Sequence, residues 1–125
     1  MYDPYAHAAE LGIEVIHKPI RSAHEMWFPD WNIIVVRTGM RQIHDRCALA
    51  HGIAHAVLGH RDDRPKHENA ADRLAAGNLI DPDELRALTL WVPDCHRLAI
   101  ELGVTTRIAR TALGLYGIHE KAPAA

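Results

Sequence analysis

Residues 40–59 read MRQIHDRCALAHGIAHAVLG, and their spacing decides how the rest of the chain is read. Ile43, Cys47, Ala50, Ala54 and Val57 recur every three or four residues, the period of an amphipathic helix. Gly59 is positioned to cap its C-terminus. Upstream the pattern is extended. Residues 32–37 (NIIVVR) form the clearest strand, preceded by a turn at Pro29 and Asp30, by a second strand over 26–28 and by a third over 13–16. A short helix over 4–11 stops at Gly12. Downstream, a second long helix is predicted over 66–78. Asp81-Pro82-Asp83-Glu84 then combines an N-cap, a proline at the first helical position and an acid three residues on.

Two further helices are predicted, one starting at Pro93 and Asp94 and stopping at Gly103, the other capped by Thr105 and running to about 116. The expected class is α+β. A small antiparallel three-stranded sheet packs on the long helix and its successor, followed by a C-terminal helical segment patterned like a helix-turn-helix. Residues 1–80 are expected to form the core and 81–118 a helical segment packed on it, with 119–125 a flexible tail.

At 125 residues and 48% hydrophobic, the chain has the length and composition to bury a core. A net charge of −2 gives no overall field favouring nucleic acid or membrane. Cys47 and Cys95 form no C-x-x-C pair and are expected to be reduced thiols in a cytoplasmic protein. The start, MYDPYAHAAEL, has no signal-peptide pattern, and the longest purely apolar run, 33–36, is too short to span a bilayer.

Ten histidines invite a search for metal or acid–base chemistry. His51 and His55 are four residues apart, so both imidazoles leave one face of the helix. On the next helix Glu68 and Asp72 repeat that spacing. Two histidines and a glutamate form a known catalytic zinc set that leaves a fourth position open. Asp72 is spaced to accept a hydrogen bond from a ligand histidine. On spacing alone, the two acids also fit a solvated helix start. His44 stands about 10 Å from His51 along the helix, and it, His60 and His67 are read as non-ligands.

The run ALAHGIAHAVLGH (48–60) followed by HENAADRLAA (67–76) resembles the zinc metallopeptidases of the ImmA/IrrE family, within the thermolysin-like group. The family pattern is roughly LAHExxHxxLGH and then ExxADxFAA; Leu74 replaces the usual phenylalanine. The resemblance implies one zinc ion per chain on His51, His55 and Glu68, with Asp72 orienting a ligand. It also implies a protein or peptide substrate, in this family a repressor of the helix-turn-helix type, in a phage or mobile-element setting.

The departure is Gly52, which stands where the family carries the general-base glutamate. This implies an inactive or weakened peptidase or, alternatively, a regulatory module that holds a repressor or DNA without cleaving. Position 52 is expected to face the open side of the metal, so that Gly52→Glu would restore a base without disturbing the fold. Met26, Trp27 and Phe28 are the candidate edge strand for an extended substrate. Arg107 and Arg110 are candidate phosphate contacts, although the modest charge of their segment favours packing over DNA binding.

Overall fold

The structure, a computed structural model, describes residues 1–119, so most of the expected tail lies outside the described residues. The elements follow in the order α1 (Pro4–Glu10), β1 (Glu14–Lys18), β2 (Glu25–Phe28), β3 (Ile33–Arg37), α2 (Gln42–Leu58), α3 (Pro65–Leu79), α4 (Pro82–Thr89), α5 (Cys95–Leu102) and α6 (Thr106–Tyr116). The caps read from the sequence are made. Asp81 accepts from the Glu84 N–H and Thr105 from the Ile108 N–H. Asp94 does the same for α5, and Gly103 ends that helix in the left-handed region. Such caps contribute about 1 kcal/mol each.

The α+β class and the three-stranded sheet are as expected, but the strand directions are mixed. The order is β1-β3-β2. β2 and β3 form an antiparallel pair with Met26 opposite Val35, whereas β1 runs parallel to β3 with Val15 opposite Ile34. The reason lies in the apolar character of β3. Ile34 and Val36 are fully buried, and the most hydrophobic strand takes the centre, where it is paired on both edges. The chain after β1 must therefore pass the end of β3 to reach the far edge. Arg37 fixes that link by donating to the carbonyls of Ile20 and Arg21. β2 is consequently an edge strand.

Helix α2 is buried on two sides. Cys47, Ala50 and Ala54 join a cluster with Ala71 and Ala75 of α3, Leu85 of α4, Leu98 of α5 and Ile108 of α6. Leu49 and Ile53 join a second cluster with Ala8, Ile13, Ile34 and Val36. Residues of α4, α5 and α6 thus share one core with the long helices. The ends of the predicted stripe, Ile43 and Val57, are exposed. Among the described residues, no helix is long and apolar enough to cross a membrane.

Candidate metal centre

His51 and His55 leave α2 on the ridge between its two buried sides. At about 100° per residue, the alanine seam, the histidines and the sheet-facing residues occupy successive sectors of the helix. Small residues on both helices allow α2 and α3 to approach closely, and this brings Glu68 over the histidines. Its Oε2 is 3.0 Å from His51 Nε2, and its Oε1 is 2.8 Å from His55 Nε2. The two Nε2 atoms are 3.0 Å apart. Three ligand-type groups from two rigid helices therefore converge on one point.

The remaining nitrogens hold the rings in place. His51 Nδ1 donates to Asp72 Oδ1 at 2.9 Å, which leaves Nε2 with its lone pair facing the convergence point. Burial opposes charge on His51, but the Asp72 hydrogen bond and the Glu25 and Glu68 carboxylates outweigh it and raise its pKa. Burial also acts to raise the Asp72 pKa, but hydrogen bonds from His51 and Arg107 prevail and lower it. Arg107 of α6 binds Asp72 Oδ2 through Nε at 3.1 Å and Nη2 at 2.6 Å. The C-terminal segment thus reaches the centre through an Arg107–Asp72–His51 chain. Arg110 is exposed on the same helix.

His55 is oriented differently. Its Nδ1 lies 2.9 Å from Nδ1 of His60. Gly59 makes this possible: with φ at 71° it turns the chain so that His60 folds back over the last turn of α2. His60 in turn stacks on His67, with centroids 4.0 Å apart and rings 11° from parallel. Burial and the neighbouring His51 charge lower the pKa of His55, favouring the neutral imidazole that can ligate. His60 therefore supports a ligand-type histidine. His44 lies away from the centre, edge-to-face with His24.

The sequence reading missed Glu25. It sits on β2 and points to the same side of the sheet as Trp27. Its Oε1 is 3.9 Å from His51 Nε2, and its side chain is 13% exposed. Ligand atoms of Glu25, His51 and His55 all lie within 4.8 Å of one another, close enough to hold a metal. Burial pushes the Glu25 carboxyl up to about 7 against the pull of His51. Both carboxylates thus belong to the centre, but Glu68 contacts both imidazoles and Glu25 stands back from one. No local sequence signal separates Glu25 from any other acid before a strand.

Gly52 does not face the open side of this centre, contrary to expectation. A Cβ built there would lie 3.1 Å from Glu25 Oε2, 3.1 Å from Ile34 Cγ2 and 3.3 Å from Ile34 Cδ1. The direction does avoid the alanine stripe, but a second buried face of α2 lies there. Gly52→Glu would therefore crowd the sheet rather than enter free space.

A cleft of about 670 Å³ opens beside the centre, lined among others by Ala23, Glu25, Trp27, His55, His60 and Glu68. A second, of about 420 Å³, lies against His51, Asp72 and Arg107, and Glu25 and Glu68 line both. Met26 is exposed on the edge strand, and the buried indole N–H of Trp27 has no acceptor among the described residues.

The donor set fits a catalytic zinc: two imidazole nitrogens and a carboxylate, each ring held from behind by a second residue. Residues 8–113 match the family model described as IrrE N-terminal-like domain, Peptidase_M78. No curated protein matches the chain.

Proposed function

Since the chain belongs to the ImmA/IrrE-type metallopeptidase family, we propose that it is a zinc-dependent peptidase with His51, His55 and Glu68 as its metal ligands. The observation that carries this reading is the convergence of both Nε2 atoms and the Glu68 carboxylate within 3.0 Å of one another. When bound, zinc supplies Lewis acidity, which polarises a carbonyl and makes a water nucleophilic near neutral pH. The protein's part is to aim the ligands. Asp72, held by Arg107, fixes His51; His60 fixes His55.

The substrate in this reading is a protein segment in extended form. β2 is an unpaired edge beside the cleft, and an incoming strand adds to such an edge through main-chain hydrogen bonds. Met26, Trp27 and Phe28 would line its path. A repressor of the helix-turn-helix type, in a phage or mobile-element setting, is the first candidate. Cys47, a buried thiol, fits a reducing, cytoplasmic setting.

Helix α2 brings no base of its own at Gly52. Losing a general base lowers a rate by about 10²–10⁴, so a site relying on α2 alone would be impaired. That same residue favours a second reading, a module that holds a repressor without cleaving it. DNA is the weaker partner for such a module, because Arg107 is already engaged by Asp72.

The test is cleavage by the zinc-loaded chain of a mixture of internally quenched peptides and of a helix-turn-helix repressor. Hydrolysis that 1,10-phenanthroline abolishes and added zinc restores is expected. Hydrolysis indifferent to chelation would overturn zinc dependence. Tight repressor binding with no cleavage would select the holding module.

A further inference from the structure

We propose that Glu25, reaching in from β2, is the catalytic carboxylate that α2 lacks and takes the proton from the attacking water. The step rests on the peptidase reading above. Its support is positional. The side chain that position 52 does not have would begin 3.1 Å from Glu25 Oε2, so the Glu25 carboxylate lies directly against the start of the missing side chain. The other oxygen, Oε1, is 3.9 Å from His51 Nε2, on the metal side. One carboxylate thus spans the distance from the gap on the helix to the ligand cluster, and it lines both clefts beside that cluster.

The surroundings make a purely structural role a poor explanation. The Glu25 side chain is largely buried, and an acid there is costly unless something compensates it. Among the described residues its ion-pair partner is His51 alone, at a distance too long for a good hydrogen bond. An apolar residue would fill the same space without that cost. Gly52 also acquires a reason. A side chain at 52 and the Glu25 carboxylate compete for one volume, so glycine on the helix and glutamate on the strand are complementary.

In the proposed step an O–H bond of water breaks and its proton passes to the Glu25 carboxylate, while the water oxygen bonds to the scissile carbonyl carbon. The C–N bond then breaks as Glu25 returns that proton to the leaving nitrogen. The products are a carboxylic acid and an amine, and Glu25 is again a carboxylate. No redox partner is required.

The experiment compares the zinc-loaded chain with Glu25→Gln on the quenched-peptide mixture, alongside zinc content and melting temperature. Glu25→Gln is expected to lose about 10²–10⁴ in rate while keeping its zinc and its fold. Should that variant fail to fold, Glu25→Asp, which keeps the charge but retracts it by one methylene, is expected to slow hydrolysis with zinc retained. Undiminished cleavage by whichever variant folds overturns the proposal and leaves the peptidase reading standing. Loss of zinc from Glu25→Gln also overturns it, making Glu25 a metal ligand instead. If the unmodified chain holds zinc and cleaves neither the peptides nor the repressor, the peptidase reading falls and this step falls with it.

Discussion

The two buried sides of α2 meet their neighbours by opposite means. Towards α3 the helix presents Ala50 and Ala54 against Ala71 and Ala75. Towards the sheet it presents Leu49 and Ile53 against Ile34 and Val36, with Gly52 at the rim. The alanine side achieves closeness, so that Glu68 can touch both histidines. The sheet side achieves bulk, and makes one exception to admit a carboxylate. His51 and His55 stand on the ridge between them. The candidate metal site is therefore assembled by two different kinds of packing, and substitutions should separate them.

The largest effect is expected where bulk is removed. Ile53→Ala truncates a fully buried side chain between α2 and the sheet and should cost about 2–5 kcal/mol of unfolding free energy. Denaturant titration measures it, and a cost below about 1 kcal/mol would mean that the sheet does not anchor α2 as described.

Adding bulk should hurt on either side, by less. Ala54→Leu forces α2 from α3, and Gly52→Glu drives a side chain into Ile34 and the Glu25 carboxylate. Each should cost about 1–3 kcal/mol, the usual range for overpacking. For Gly52→Glu this outweighs the gain of about 1 kcal/mol in helix propensity. A Gly52→Glu protein that melts higher than the parent would break the comparison and return position 52 to the open side of the site.

These expectations mark where the sequence was legible. Helical spacing put His51, His55, Glu68 and Asp72 on facing helices, because a periodic pattern on a rigid element carries its own geometry. The caps at Asp81 and Thr105 were equally local. Glu25 was not legible, since its nearness to His51 depends on β3 inserting between β1 and β2. The parallel pairing of β1 escaped for the same reason: alternation reveals a strand but not its neighbour. The sheet-facing side of α2 was overlooked because one clear stripe, from Cys47 to Ala54, masked a second. Arg107 read as a candidate phosphate contact, because its pairing with Asp72 depends on how α6 packs on α3.

A smaller effect should separate ligands from their supports. Asp72→Ala removes the acceptor of His51 Nδ1 and the partner of Arg107, and should weaken zinc binding about 10- to 100-fold. Arg107→Ala should weaken it less, since Asp72 still accepts from His51. Competition with a chromogenic chelator gives both values, and equal affinity in Asp72→Ala and the parent would remove Asp72 from the centre.

The claim on which the rest depends is that the ridge between the two sides of α2 holds a metal ion. Elemental analysis after exhaustive dialysis tests it directly, on the parent chain and on His55→Ala. The account predicts about one zinc ion per chain in the parent, the stoichiometry of a two-histidine, one-carboxylate site, and next to none in the variant. Equal zinc in the two proteins, or none in a folded parent supplied with zinc, would contradict it.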